Sequence, residues 1–395
     1  MLRKKIFVTL ISLIIIRMGH FIPIPNIDQP YVISILKNNN SFFRMIFNGE
    51  NTVLSILTLG ITPYINASIF IQFLTNVIPF LEKLQKDEGK RGREKIKQYT
   101  RFLTLIFAIF ESLSLTFSLK PILFNWNNLL CIQINLYLIT GSLIVFWLSD
   151  LITENGIGDG SSLVITLNIL STLPKTIFTL LKHSNSFGII FSFLSLTCLI
   201  GGIVYLEEAE DNIPLISAKQ LIMQEKAEQK SFVKHSYLPL KITQGGIIPI
   251  IFASSFVTFF TIVVNFICNF YSIEFDINNR IINIIYKILN FILVLGFTLL
   301  YSNLILNPKK IANELNQKMV IISNAQIKPG KQTAVYLKNK INRLSLLGGL
   351  FLAILSTVPN IQNIYGFNIT SLLILVGITL ETNRQIKALL LSKIY

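Results

Sequence analysis

Charge is scarce in this 395-residue chain: only 14% of its residues are Asp, Glu, Lys or Arg, where soluble domains carry roughly a quarter. That excludes an ordinary soluble globule. Cysteine is equally thin. Cys131, Cys198 and Cys268 lie far apart without CxxC spacing, which rules out a disulfide framework or a zinc site and leaves small buried hydrophobes. The histidines, His20, His183 and His235, are scattered and show no HExxH pattern. Gly158-Asp-Gly-Ser161 lacks the G-x-S-x-G arrangement of a nucleophile elbow. No catalytic constellation emerges, and neither enzyme activity nor a cofactor or metal is expected. The short alternating segments of a membrane barrel are absent. So are aromatic stripes on a basic face, which argues against nucleic acid despite a net charge of +15.

Apolar residues fill the space left: 52% of the chain, 30 of them phenylalanine, with a mean hydropathy of +0.60. A spanning helix needs ~20 mostly apolar residues to cross ~30 Å of hydrocarbon. Ten such segments can be drawn, at 5–21, 62–80, 99–119, 133–152, 161–181, 187–206, 246–266, 284–306, 344–358 and 370–390. The first has a basic start but no small-residue cleavage site, so it reads as a retained helix. Lysines and arginines concentrate at the N-terminus, in alternate connectors and at the C-terminus, all on one side if all ten segments span. The positive-inside rule puts that side, with both termini, in the cytoplasm or its equivalent. A miscounted span would scramble the alternation.

Gly60-Ile-Thr-Pro63 opens segment two, and Gly246-Ile-Ile-Pro249 opens segment seven. Those positions are equivalent if the chain is two halves of five, 1–181 and 182–395, in inverted orientation. Gly/Pro-interrupted spans at matching positions point to a central pathway. Residues 47–59 are too short and polar to span, and follow the helix-breaking Ile22-Pro-Ile-Pro-Asn26. A short re-entrant or interfacial helix fits, and a re-entrant one is tolerated only where it is buried in protein or lines a watery cavity. The connectors 207–243 and 307–343 are long and basic; loops of that length are usually functional or disordered, and these two read as docking structures for soluble partners. The mixed-charge connector 82–99 reads equally as a solvated loop or a docking surface.

At this point the chain resembles the SecY family, the channel-forming subunits of the Sec protein translocase. The resemblance rests on Phe21-Ile-Pro-Ile-Pro-Asn-Ile-Asp28, Leu59-Gly-Ile-Thr-Pro-Tyr-Ile-Asn-Ala-Ser-Ile69, Gly92-Arg-Glu-Lys-Ile-Lys-Gln-Tyr-Thr-Arg101 and Ile152-Thr-Glu-Asn-Gly-Ile-Gly-Asp-Gly-Ser161. Leu238-Pro-Leu-Lys241, Gly246-Ile-Ile-Pro-Ile-Ile-Phe-Ala-Ser-Ser255, Lys328-Pro-Gly-Lys-Gln-Thr333 and Thr370-Ser-Leu-Leu-Ile374 continue it in family order.

The resemblance implies an all-α membrane protein of ten transmembrane helices in two inverted-repeat halves of five, with a short re-entrant plug helix. It implies a lateral gate between helices two and seven, and a SecE-like single-helix subunit at the back. A SecA-type motor ATPase or a ribosome would dock on the cytoplasmic-side loops, at Arg91, Arg93, Lys230, Lys234, Lys328 and Lys331. Preproteins and membrane lipid are the other partners. The resemblance assigns the plug to residues 47–59, including Phe47, Val53, Leu54, Ile56 and Leu57. It assigns the narrow pore ring to Ile61, Ile65, Ser161, Ile165, Ile251 and Ile374. Branched apolar side chains in a ring shed water and block ions; Ile61 with Ile65, and Ser161 with Ile165, are four apart and share a helical face.

Several residues depart from the family pattern. Ser161 stands where isoleucine is common and makes a wetter ring. Lys328 stands where arginine is usual, and lysine lacks the bidentate fork. Asp211 and Asn212 occupy positions that are often basic, and little follows Leu391. Glu111 lies mid-segment, where a carboxyl group is expensive without a partner. A secondary transporter would use it as a proton relay; in a channel it faces the aqueous funnel or the lateral gate, where it hydrates or hydrogen-bonds. The richness in Ile, Asn and Lys fits an AT-biased genome, pointing to an algal plastid and its thylakoid membrane, with a bacterial plasma membrane as the alternative.

Overall fold

In this computed structural model, residues 2–25, 27, 29, 54–86, 89–120, 127–183, 186–217, 236–270, 280–322, 330–357 and 369–391 are described. The first part of the chain forms α1 (Leu2–Gly19), α2 (Thr62–Val77), the short α3 (Pro79–Lys86), α4 (Gly89–Leu119), α5 (Asn128–Asn155) and α6 (Gly160–His183). There follow α7 (Ser186–Glu208), strands β1 (Glu210–Ser217) and β2 (Ser236–Lys241), α8 (Ile248–Phe270) and α9 (Arg280–Ile305). The chain closes with α10 (Pro308–Gln317), β3 (Val320–Ile322), α11 (Lys331–Thr357) and α12 (Ile369–Leu391). Every predicted apolar segment falls on one of the longer helices. Among the described residues, Gly89–Phe117, Asn128–Asn155 and Ile284–Gln317 are long and apolar enough to cross a membrane by length and composition.

The chain divides into two compact units. One comprises Met1–Thr179, Ser254–Lys287 and Ile378–Tyr395; the other comprises Leu180–Ala253 and Ile288–Gly377.

The two Gly-x-x-Pro strings form turns of the same backbone geometry. Gly60 (φ 53°) and Gly246 (φ 56°) both adopt left-handed backbone, which only glycine reaches without strain. Three residues later Pro63 and Pro249 each occupy the second position of their helices, where the missing N–H is not needed. Ile65 N–H donates to Ile61 C=O at 3.2 Å, and Ile251 N–H donates to Ile247 C=O at the same distance. The same turn opens both helices.

The connector 82–99 is mostly helix rather than loop. Pro79–Lys86 is α3, and α4 begins at Gly89, ten residues ahead of its apolar segment. The reason is that Lys, Arg, Glu and Gln are good helix formers. The extension is also held by α5: Lys97 Nζ pairs with Asp150 at 3.1 Å and Glu154 at 2.7 Å, and Arg101 Nη2 pairs with Asp150 at 2.8 Å. α11 likewise begins at Lys331, well before its apolar run.

Described parts of the two long connectors pair in one sheet and add strands to the helical fold. β1 pairs antiparallel with β2 from Glu210↔Lys241 to Leu215↔Ser236, and with β3 from Leu215↔Ile322 to Ser217↔Val320. The order β2-β1-β3 puts residues from both connectors in one sheet. Ile213 and Leu215, two apart on one face, bury with Leu240, Ala312, Ile322, Leu337 and Ile341. Asp211, the departure from a basic position, pairs with Lys340 at 3.0 Å. Cutting Ile213 back to alanine removes most of a side chain that is 1% exposed and should cost about 3 kcal/mol. Because the core is shared, limited proteolysis should then speed up in 307–343, although the substitution lies in 207–243.

Candidate functional site

The chain approaching α2 is tied down at several points. Ile24 N–H donates to Leu54 C=O at 3.0 Å and Ile56 N–H to Ile22 C=O at 3.1 Å, a short antiparallel bridge centred on Pro23 and Ser55. Gln29 adds a second grip: its Nε2 donates to Leu54 C=O at 3.1 Å, and its Oε1 accepts from Leu54 N–H at 2.9 Å. Leu54 is wholly buried, in a cluster with Ile24, Ile27, Leu59, Leu115 and Leu138. Beyond it the Thr58 hydroxyl accepts from Ser55 N–H and donates to Ser55 C=O, closing a tight turn.

Two glycines make room for this neck. A Cβ on Gly141 of α5 would stand 2.0 Å from the carbonyl oxygen of Ile56, and one on Gly19 of α1 would stand 2.4 Å from Leu57 Cδ1. Residues 54–59, the described part of the expected re-entrant segment, therefore run as a bridge and turns wedged between α1 and α5. Phe47 and Val53 lie outside the described residues, whereas Leu54, Ile56 and Leu57 are all seated in the neck.

Ile61 and Ile65, at the start of α2, are 3% and 7% exposed. Thr62 and Asn66, one residue further round, are also four apart and face α4. There Glu111 accepts from Thr62 Oγ1 at 3.0 Å and from Asn66 Nδ2 at 2.7 Å. Glu111 is itself 1% exposed, so its carboxyl group is satisfied by protein donors instead of opening onto water. It pins the helix that carries two of the predicted ring residues.

Ser161 sits in the first turn of α6. Its hydroxyl donates to Asp159, which also accepts from Ser162 N–H at 3.3 Å and Ser162 Oγ at 2.6 Å. Asp159 thus caps the orphan N-terminal donors of α6, and the Ser161 hydroxyl is engaged in that cap. Ile165, one turn on, is half-buried. In the second unit Ile251 and Ile374 are buried, on α8 and α12. The C-terminal part of α8 meets α4 within the first unit: Phe259 stacks edge-on against Phe107 at 5.2 Å, and Ser114 Oγ donates to Ile262 C=O at 3.2 Å.

Of the expected docking positions, Arg91 and Arg93 are exposed in the first turns of α4, and Lys331 is exposed at the start of α11. Lys230, Lys234 and Lys328 lie outside the described residues. Reading the sequence alone missed Gln29, Gly19 and Gly141, whose roles depend on partners far along the chain. Thr62 and Asn66 carried a usable signal: two polar residues four apart in an apolar helix, one face from an unpaired carboxyl group.

The SecY family profile matches residues 55–383. A protein translocase subunit SecY of Vaucheria litorea is 39% identical over 98% of this chain and 96% of its own length. The corresponding subunit of Synechocystis is 36% identical over 100% of this chain and 93% of its own. Among solved structures, a protein conducting channel superposes with a TM-score of 0.70 at 20% identity, covering 97% of this chain and 91% of that one. Sec61 in a canine ribosome–channel complex gives 0.66 at 18% identity, covering 97% and 91%. With a family profile spanning most of its length and relatives alike from end to end, this chain belongs to the SecY family.

Proposed function

We propose that the chain is the central subunit of a protein-conducting channel. It moves unfolded preproteins across the membrane and releases transmembrane segments to lipid through a lateral gate between α2 and α8. The observation that carries this reading is the end-to-end likeness to SecY translocase subunits. The matching turns at Gly60 and Gly246 support two inverted halves, 1–181 and 182–395, with ten spans and both termini on the cytoplasmic or stromal side.

Ile61, Ile65, Ser161, Ile165, Ile251 and Ile374 form the pore ring. Branched apolar side chains there make a constriction that water leaves, so ions are blocked while a threaded chain can still push through. Residues 47–59 are the plug that stoppers it, and the wedged neck at 54–59 is the described part of that plug. Because the channel supplies no chemical energy, translocation is driven from outside. A SecA-type motor ATPase or a ribosome docks on Arg91, Arg93, Lys331 and the connectors bearing Lys230, Lys234 and Lys328. The shared sheet makes those connectors one platform, and a SecE-like helix braces the bundle. Relatives in Vaucheria litorea and Porphyra purpurea support a plastid thylakoid membrane, and those in Synechocystis keep a bacterial-type plasma membrane as the alternative.

Crosslinking decides the matter. With single cysteines at 65, 251 and 374, a stalled preprotein should crosslink at each position. A cysteine at the exposed Trp147 of α5 should give none. Crosslinks at Trp147 with none at the three ring positions would remove the constriction from this path.

A further inference from the structure

We propose that Gln29 is a positioning residue for the closed constriction: its amide latches the peptide chain entering α2 and through it holds Ile61 and Ile65 in place. The inference rests on the channel reading above.

A glutamine amide offers one acceptor and a pair of donors, so it engages both peptide groups of one residue as a neighbouring strand would. Gln29 does this to Leu54, taking its N–H at 2.9 Å and giving a hydrogen bond to its C=O at 3.1 Å. The Leu54 carbonyl holds a second bond from Ile24 N–H at 3.0 Å. Its N–H has Gln29 as the partner shown, at a residue with no exposed surface. Without that acceptor a buried donor is stranded, and the neck must move to find water or another carbonyl.

Such a movement reaches the constriction because the eight residues from Leu54 to Ile61 contain no slack. The Ser55–Thr58 turn is closed from both ends. Gly60 N–H is bonded to Leu57 C=O at 2.9 Å, and Thr62 N–H to Leu59 C=O at 3.3 Å. Leu57 and the Ile56 carbonyl are wedged against Gly19 and Gly141. A shift at Leu54 is therefore passed to Ile61, the first residue of the α2 turn. Glu111 holds α2 from the other side through Thr62 and Asn66. The start of α2 is gripped at two points, and Gln29 supplies the grip on the chain side.

The test compares wild type, Gln29→Leu and Gln29→Glu, each assembled with a single-helix partner in vesicles. Resting ion leak, preprotein transport and the melting temperature of the assembly are all measured. Leucine fills similar space and forms neither hydrogen bond. Two lost bonds of about 1 kcal/mol each predict a resting leak raised by at least about tenfold, at a melting temperature near that of wild type. Glutamate keeps an acceptor for Leu54 N–H, loses the donor to the carbonyl, and should leak less than leucine but more than wild type. If Gln29→Leu does not assemble, Gln29→Glu carries the comparison. Wild-type tightness in the assembled variants, with preprotein still transported, overturns the latch and leaves the channel reading intact. A wild-type assembly that transports no preprotein overturns both.

Discussion

Asn66→Leu is expected to lower the stability of the bundle by about 2 kcal/mol, and adding Glu111→Leu to it should restore much of that loss. The asymmetry follows from what each change leaves behind. Asn66 Nδ2 donates the shorter of the two bonds that Glu111 accepts, at 2.7 Å. Removing it strands part of a carboxyl group that has almost no exposed surface, and leaving a buried polar group unsatisfied costs roughly 1–3 kcal/mol. The pair itself contributes far less, since polar contacts between membrane helices average about 0.6 kcal/mol in double-mutant cycles. Replacing both residues by leucine removes the stranded group and leaves Thr62, whose hydroxyl also donates to Leu59 C=O at 2.8 Å. Thermal unfolding in detergent of the two single variants and the double variant measures the coupling. Strictly additive losses would mean that Glu111 and Asn66 do not act together.

Gly141→Val should be nearly as damaging, through the backbone. A Cβ at position 141 would lie 2.0 Å from the Ile56 oxygen and 2.8 Å from its carbonyl carbon. A peptide group cannot rotate away as a side-chain tip does, so either α5 or the neck must move by about an ångström. Overpacking of this kind costs about 1–3 kcal/mol. The gain in helix propensity on leaving glycine is at most about 1 kcal/mol, so the steric term wins. Gly201 of α7 and Gly296 of α9, where nothing among the described residues lies within 4 Å of the place a Cβ would take, provide the controls. Alanine there should be neutral or slightly stabilising, whereas Gly141→Val should lower the melting temperature and open the neck at 54–59 to protease.

Much of the helical layout could be read in advance, because spanning helices must be apolar for ~20 residues and that constraint is local. The ends were harder. α4 and α11 continue into charged stretches that hydropathy separates from the span, yet Lys97 and Arg101 bind α5 by ion pairs and keep the helix going. The sheet went unseen because β1, β2 and β3 are short, and each finds its partner across tens of residues. Glu111 was conspicuous as an intramembrane carboxyl group, but its partners on α2 were not. Asp211, a departure from a basic position, has its ion-pair partner in Lys340, more than a hundred residues along the chain.

Hydropathy and the placement of lysine and arginine were enough to specify a helical membrane protein, and the two GxxP strings marked a turn that it uses twice. Each of those signals is carried by neighbours in sequence or by a sum over a short window. Three-dimensional packing alone decided that Gln29 grips Leu54, that Gly141 admits the Ile56 carbonyl and that Glu111 is satisfied by Thr62 and Asn66. Those are meetings of atoms distant along the chain, specified by close packing and by the need to pair buried polar groups, and no local pattern encodes them.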